Sequence, residues 1–228
     1  MMIKSLKIHK KYRPSDYSKY KEFFVEDLIT DEKESAQILR NYIPWTKEYY
    51  GDWLKDFYIK GNVCMGVKET MRMPLYETYC AFVTYSGTEF KKIQSHNVEL
   101  IDAEFNKDIA KLPDDIVVHR ITTKRKFYEK YGINVDKLKK NQIIIADGYL
   151  STALIKSLLE EDEEYEYKDI YIKIYAPKGC NALYIGFVSG RMHEQEMLFY
   201  KNQKLRILDI GADDSKTGRT KITAIIEK

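Results

Sequence analysis

The feature that most constrains the fold is a change in hydrophobic period at Pro113. Before Pro113, apolar residues recur three or four positions apart, a spacing typical of amphipathic helices. From Ile116 onward, short segments alternate apolar and polar residues and are separated by Gly, Pro, Asn and Asp, which is the pattern of β-strands. A helical part followed by a strand-rich part favours an α+β fold over alternating βαβ units.

The helical part is predicted to contain six helices. Ser15 and Asp31 are suitable N-caps for the first two, and Pro44 would end the second because proline cannot continue a helix interior. The predicted ranges are 17–28, 31–44, 46–59, 76–84, 88–94 and 103–112.

The strand-rich part is predicted to contain seven strands. Their sequences are IVVHRIT, IIIADGYL, DIYIKIYA, ALYIGFV, EMLFY, KLRILDI and KITAIIE. A chain of 228 residues, of which 44% are hydrophobic, can bury the core of one domain. We therefore expect one domain over residues 1–228, with a mainly helical part at 1–112 and a strand-rich core at 113–228.

Charge and cysteine content argue against several classes of protein. The 38 Lys and Arg residues nearly balance the 35 Asp and Glu residues, and a net charge of +3 does not indicate a polybasic nucleic-acid binder. Three cysteines without CxxC spacing predict neither a disulfide framework nor a zinc cluster. Without a signal-peptide-like start or a run of 18 apolar residues, we expect a soluble chain that does not insert into membranes.

Three short patches carry side chains that suit catalysis. They are Arg120 in IVVHRIT, Ser151 and Thr152 in DGYLSTAL, and Glu194 with Glu196 in HEQEMLF. Taken singly, the arginine could be a surface salt-bridge partner, the Ser-Thr pair a helix cap and the glutamates a charged strand end. Their order, spacing and chemistry together point to a common site.

In combination, these patches resemble the motifs of the ADP-ribosyltransferase toxins. That family includes the clostridial binary-toxin enzymatic components, the vegetative insecticidal actin-modifying proteins and the single-domain Rho-modifying exoenzymes. The matching segments are VVHR ending at Arg120, GYLSTA at 148–153 and EQE at 194–196. The similarity continues through IKIYAPKGCNALYI and YSGTEFKKIQSHN and covers at least residues 80–210.

The resemblance implies amino-terminal helices on two packed, roughly perpendicular β-sheets, with NAD⁺ bound in the cleft between them. It also implies mono-ADP-ribosyltransferase activity. The nicotinamide–ribose bond of NAD⁺ would be cleaved and ADP-ribose transferred to a side chain of a target protein, with NAD⁺ hydrolysis as a side reaction. NAD⁺ is thus expected as co-substrate of a monomeric chain that needs no metal. Actin and a small GTPase are candidate targets.

The resemblance assigns catalytic roles to three residues. Glu196 would hydrogen-bond the ribose 2′-hydroxyl and stabilise the oxocarbenium-like sugar. On a strand, Glu194 would face the same cleft roughly 6.5 to 7 Å away and orient or deprotonate the nucleophile. A glutamate there suits an arginine acceptor, whereas relatives that modify asparagine carry glutamine. Ser151 would fix the Glu196 rotamer, and both are also expected to contact NAD⁺.

The remaining expected contacts to NAD⁺ come from the first two motifs and one strand. Arg120 would clamp the diphosphate with its planar guanidinium. Gly148 would allow close approach of the backbone to the nicotinamide half, and Tyr149 would pack beneath it. Thr152 belongs to the same Ser-Thr motif. Lys173 could add a phosphate contact, with an exposed strand lysine as an equal alternative.

The sequence departs from the family pattern and leaves alternatives open. His119 replaces a common tyrosine, Ala153 replaces the last serine of Ser-Thr-Ser, and the loop GRMH at 190–193 lacks the aromatic residue that usually helps to recognise the target. A zincin is disfavoured because HExxH requires histidine where Met197 stands. An NAD⁺ glycohydrolase and a catalytically silent adaptor of the same fold remain alternative functions.

We expect that the route to a target is not encoded in this chain. We expect secretion or delivery into the cytosol of a target cell by a route outside this chain, for which a separate delivery component is one candidate. Action in the cytoplasm of the producing cell is the alternative.

Overall fold

The computed structural model of the protein describes residues 14–31, 41–56, 78, 81–82, 94–161, 163, 166–186, 194–212 and 218–228. The helices discussed below are α1 Pro44–Lys55, α2 Ser95–Phe105, α3 Lys124–Tyr131 and α4 Lys156–Glu161. Short 3-10 helices span Pro14–Lys19, Val25–Asp27, Asp108–Ala110 and Val135–Lys137. The strands are β1 Ile29–Thr30, β2 Asn41–Tyr42, β3 Ile116–Thr122, β4 Ile143–Ile145, β5 Leu150–Ala153, β6 Ile170–Ala176, β7 Ala182–Tyr184, β8 Glu196–Phe199, β9 Lys204–Ala212 and β10 Thr220–Ile226.

Eight strands form one mixed sheet in the order β4-β9-β10-β6-β3-β5-β8-β7. Strands β10 and β6 are parallel and the other pairs are antiparallel. A single residue pair, His119 with Ala153, joins β3 to β5. The predicted α+β fold is confirmed. In place of two separate sheets, hydrogen bonding links a five-stranded group and a three-stranded group at this one pair.

The predicted strand segments all contain strands of the sheet. One of them, IIIADGYL, contains all of β4 and the first residue of β5, because Gly148 lies between them at a φ of +69°. This left-handed conformation favours glycine and interrupts an extended chain. The interruption matters because it defines the start of the strand that carries Ser151.

The helix predicted at 17–28 is wrong. The segment contains two 3-10 turns and isolated β-bridges to the sheet and its flank. Its aromatic rings pack on strand β6: the ring centroids of Tyr17 and Tyr20 lie 4.5 Å and 5.1 Å from that of Tyr175. Packing against the sheet therefore overrides the helical spacing of these residues.

The other helix predictions have mixed outcomes. Helix α1 confirms the prediction at 46–59 as far as its described end. In the segment predicted as a helix at 31–44, residues 41–42 form strand β2 instead. The predictions at 76–84 and 88–94 lie mostly outside the described residues. The helix predicted at 103–112 overlaps only the last turn of α2. The rest of that segment contains the short 3-10 helix Asp108–Ala110.

Helix α3 follows β3 and is fixed at both ends. Thr123 caps its first turn, and Gly132 at a φ of +67° ends it. Phe127 is fully buried in the core. At the last turn, the main-chain N–H of Asp147 donates to the carbonyl of Lys130 at 2.7 Å. This hydrogen bond attaches α3 to the loop that leads into β5.

Candidate active site

Strands β3 and β5 separate beyond their single point of pairing. Strand β3 continues along β6 to Thr122, whereas β5 runs back towards Gly148. Across the resulting gap, Arg120 Nη1 donates a hydrogen bond to the main-chain oxygen of Ser151 at 2.6 Å. The structure therefore brings the first and second sequence motifs into direct contact.

Strand β8 brings Glu196 close to Ser151. In the register of β5 and β8, Ala153 pairs with Glu196 and Ser151 pairs with Leu198. Residues paired or two apart in an antiparallel ladder project from one face, so Ser151 and Glu196 share a face as diagonal neighbours. A glutamate side chain is long enough to span a diagonal of this kind.

Glu194 precedes strand β8 and does not lie within it. The strand begins at Glu196, and Gln195 has a left-handed φ of 51°. Our expectation that both glutamates lie on one strand is therefore wrong, because a turn separates them, while their position in one cleft stays a prediction. Both carboxylates are nevertheless buried, with exposed fractions of 6% for Glu194 and 5% for Glu196. The hydroxyl of Tyr184 donates to Gln195 Oε1 at 2.7 Å and holds this turn in place.

Gly148 lies in a tightly held turn before β5. Its carbonyl accepts a hydrogen bond from Asn202 N at 3.1 Å. The ammonium of Lys130 contacts the carbonyls on either side of it, those of Asp147 and Tyr149. Sequence reasoning missed Lys130, because a lysine in the last turn of a short amphipathic helix is usually a surface residue.

Thr152 and Tyr149 are buried supports of the site. Thr152 Oγ1 donates to the carbonyl of Met197 at 2.8 Å, which ties β5 to β8 on the face opposite Ser151. The hydroxyl of Tyr149 donates to Asp102 Oδ1 at 2.7 Å, and its fully buried ring stacks against core aromatics. These contacts hold the turn before β5 in the core, and the place of Tyr149 beneath the nicotinamide stays a prediction.

Lys173 faces away from Arg120. In the register of β3 and β6, His119 pairs with Lys173, and consecutive residues of a strand point to opposite faces. Lys173 Nζ lies 2.7 Å and 2.9 Å from the two carboxylate oxygens of Glu22. Because its charge is already paired with Glu22, we leave Lys173 out of the proposed diphosphate site.

Two of the departures from the family pattern, His119 and Ala153, adjoin each other at the junction of β3 and β5. His119 is buried, and its Nδ1 lies 2.9 Å from the hydroxyl of Tyr171. Burial and then the charges of Lys173 and Lys156 lower the pKa of His119 to about 3. Ala153 packs in a small apolar cluster that includes Tyr171. His119 is therefore a neutral, buried residue at the junction of β3 and β5.

Metal-binding clusters and membrane-spanning helices are both absent from the described part of the chain. Within the described ranges, no group of three or more His, Cys, Asp or Glu residues could hold a metal ion. None of the helices among the residues that the structure describes is long and apolar enough to cross a membrane. The loop at 190–193, expected to bear on target recognition, lies outside the described residues.

Comparisons with known proteins identify the relatives of this chain. The family model of the ADP-ribosyltransferase exoenzymes matches residues 84–228, while no curated protein matches. Among solved structures, C3stau2 from S. aureus with NAD has a TM-score of 0.58 at 15% identity, over 92% of this chain and 99% of that one. An ADP-ribosyltransferase from Clostridium botulinum has a TM-score of 0.55 at 18% identity, over 86% and 100%. The toxin Plx2a from Paenibacillus larvae has a TM-score of 0.53 at 21% identity, over 81% and 94%.

These identities are low, so the similarity to solved structures shows the fold alone. The family model carries more weight, because it matches well over half of the chain and includes all three sequence motifs. The chain therefore belongs to the ADP-ribosyltransferase exoenzyme family, whose members are transferases that use NAD⁺ as substrate.

Proposed function

We propose that this enzyme cleaves NAD⁺ at the nicotinamide–ribose bond and transfers ADP-ribose to an arginine side chain of a target protein. Water would replace the arginine in a slower side reaction. The observation that carries the proposal is the arrangement at the gap between β3 and β5. There Arg120 is anchored to the carbonyl of Ser151. Glu196 is buried at the first residue of the adjacent strand β8, and Glu194 is buried just before that strand.

Glu196 is proposed to stabilise bond cleavage. When the bond from ribose C1′ to nicotinamide breaks, nicotinamide leaves with the electron pair and positive charge develops on the ribose. A carboxylate that is largely shielded from water stabilises that charge more strongly than an exposed one. Ser151, its diagonal neighbour on β5, is suitably placed to restrict the Glu196 side chain to one rotamer.

Arg120 is proposed to hold the diphosphate of NAD⁺. Its guanidinium has five N–H donors, of which Nη1 contacts Ser151. Its Nε is buried without a hydrogen-bond partner among the described residues. A phosphate oxygen is a suitable acceptor for such a donor, because charge-assisted hydrogen bonds to guanidinium are strong.

Glu194 is proposed to select and deprotonate the acceptor. A new bond forms between ribose C1′ and a guanidinium nitrogen of the target arginine, and the proton on that nitrogen passes to the carboxylate. A carboxylate attracts the cationic guanidinium, whereas a neutral amide would not. The glutamate at position 194 therefore supports arginine as the acceptor.

The test is incubation of the protein with biotin-tagged NAD⁺ and a host-cell lysate, followed by mass spectrometry of labelled peptides. We expect label on arginine and competition by a small guanidine such as agmatine. The same measurement identifies the target, for which actin and small GTPases are candidates.

Other outcomes would favour other functions. Label on a different side chain would contradict the arginine assignment. Consumption of NAD⁺ without labelling of any protein would indicate an NAD⁺ glycohydrolase. If NAD⁺ were neither bound nor consumed, a silent adaptor of the same fold would be the better description.

A further inference from the structure

Two cations lie side by side along one edge of strand β5. Arg120 Nη1 contacts the carbonyl of Ser151 at 2.6 Å, and Lys130 Nζ contacts the carbonyls of Tyr149 and Asp147. Carbonyl groups two residues apart on an extended chain project in the same direction, roughly 6.5 to 7 Å apart. Arg120 from β3 and Lys130 from α3 therefore converge where β3 has left β5.

These cations have more hydrogen-bond donors than the described residues satisfy. The ammonium of Lys130 has three N–H groups, and two main-chain carbonyls accept from it. Arg120 Nε is buried and has no partner in the described part of the chain. Buried unpaired donors are unfavourable, and two neighbouring positive charges repel each other. An anion bound between them would relieve both effects.

The electrostatics of Lys130 agree with this geometry. Burial, and then the charge of Arg120, lower the pKa of Lys130 from 10.5 to about 7, while Asp147 acts in the opposite direction. A bound anion would favour the charged form and raise this pKa again. Binding of an anion at this edge should therefore take up a proton at pH values somewhat above 7.

We propose that Lys130 is the second cation of the diphosphate site and contacts the diphosphate of NAD⁺ together with Arg120. The inference rests on the proposed function, because the anion is the diphosphate of the substrate. It gives Lys130 on α3 the role that the sequence suggested for Lys173 on β6. The two lysines differ in that Lys173 is already paired with Glu22.

Binding of inorganic pyrophosphate and of NAD⁺ to the full chain tests the proposal by calorimetry. Lys130→Met should weaken both Kd values roughly tenfold, the loss expected for one charge-assisted hydrogen bond. Lys126→Met is the matched control, because Lys126 lies on the same helix and is exposed; both Kd values should stay unchanged. Circular dichroism and thermal melting report whether each variant folds.

A pH series gives a second readout that a purely structural lysine would not produce. Between pH 6 and pH 8.5, roughly one unit or more on either side of the Lys130 pKa, the diphosphate of NAD⁺ keeps its two negative charges, so the wild-type Kd for NAD⁺ should rise as the ammonium loses its proton. Lys130→Arg keeps its charge throughout, so its Kd should stay nearly constant. The comparison of the wild type with Lys130→Arg therefore tests whether Lys130 contacts the diphosphate, even if Lys130→Met does not fold.

The outcomes separate this inference from the proposed function. If the wild type consumes NAD⁺ but Lys130→Met binds pyrophosphate as tightly as the wild type, Lys130 is only structural and the inference falls. Equal pH dependence in the wild type and Lys130→Arg would overturn it as well. If pyrophosphate binding depends on Lys130 but NAD⁺ is not consumed, the cation pair stands and the proposed function fails. A wild type that binds neither ligand overturns both.

Discussion

Arg120 reaches across the gap between β3 and β5 and donates to the main-chain carbonyl of Ser151 at 2.6 Å. The acceptor is the main chain, so the contact persists whatever side chain stands at position 151. The same guanidinium retains a buried Nε without a partner among the described residues. Arg120 can therefore stabilise the edge of β5 and bind a ligand at the same time. Substitutions are needed that separate these two roles.

Arg120→Lys separates them. Lysine keeps the charge and a donor that can reach the carbonyl of Ser151, but it loses the planar fork that binds two phosphate oxygens together. We expect the KM for NAD⁺ to rise roughly tenfold while the fold is retained. Initial rates of nicotinamide release at varied NAD⁺ concentration measure the effect. An unchanged KM would place Arg120 outside the binding site.

Ser151→Ala tests the support of Glu196. The substitution removes the hydroxyl but leaves the carbonyl that accepts from Arg120. If the Ser151 hydroxyl holds Glu196 as proposed, kcat should fall by about fivefold, the effect of losing one ordinary hydrogen bond, and by much less than in Glu196→Gln. Thr152→Ser is the matched control, because a serine can keep the hydrogen bond to Met197 O. Equal losses in Ser151→Ala and Glu196→Gln would contradict a supporting role.

His119 should make the protein sensitive to acid. Burial lowers its pKa from 6.5 to about 3, so the unfolded chain binds a proton below pH 6.5 that the folded chain does not. Stability is therefore full above that pH and is lost as pH falls, by up to roughly 1.4 kcal/mol per unit. His119→Asn can keep a partner for Tyr171 and should show a flatter decline between pH 6.5 and 4.5. Denaturant unfolding at several pH values measures this difference, and parallel curves for the two proteins would refute it.

Three charged side chains surround position 119 in both the wild type and His119→Asn. Lys173 and Lys156 disfavour the charged imidazole, and Glu22 lies 3.8 Å from Nε2. All three remain in the Asn variant, so the difference between the two curves isolates the histidine.

Strand positions and motif residues were largely predictable from the sequence. Strand β3 is predicted at 116–122 and occupies Ile116–Thr122, because a short run rich in β-branched apolar residues is typical of a strand. The motif around Arg120 could be recognised for a related reason: its spacing relative to a strand end is a local property of the chain.

Properties that depend on distant contacts could not be predicted. Lys126 and Lys130 both occur in the segment KRKFYEKY, and only the approach of the loop before β5 makes one of them partly buried. The pairing of Lys173 with Glu22 joins residues 151 positions apart. Aromatic spacing at 17–28 suited a helix, but the rings pack on β6 instead.

The turn at Gln195 is the least predictable feature of the site and bears on its chemistry. Its left-handed φ of 51° is uncommon for a residue that is not glycine, and the sequence EQE reads as a continuous strand. The two glutamates consequently occupy different local structures, one before β8 and one at its first residue. This difference favours separate roles over a shared one.

Separate roles predict different effects of two isosteric substitutions. If Glu196 stabilises the ribose cation, Glu196→Gln should abolish both NAD⁺ hydrolysis and protein labelling, because every product forms through that charged transition state. If Glu194 serves only the incoming arginine, Glu194→Gln should abolish labelling yet leave much of the hydrolysis, because water needs less orientation than a guanidinium. Nicotinamide release and protein-bound ADP-ribose are measured in parallel, with circular dichroism as the folding control.

The ratio of the two activities is the decisive quantity in that experiment. A partly unfolded variant loses hydrolysis and labelling in proportion, so its ratio stays at the wild-type value. Loss of the acceptor-directed carboxylate lowers labelling relative to hydrolysis, and only Glu194→Gln should do so. If Glu194→Gln labels arginine at near the wild-type rate, the acceptor is not selected by this carboxylate and the role assigned to Glu194 falls. If Glu196→Gln still releases nicotinamide, the ribose cation is stabilised by another group, and the role assigned to Glu196 must be abandoned.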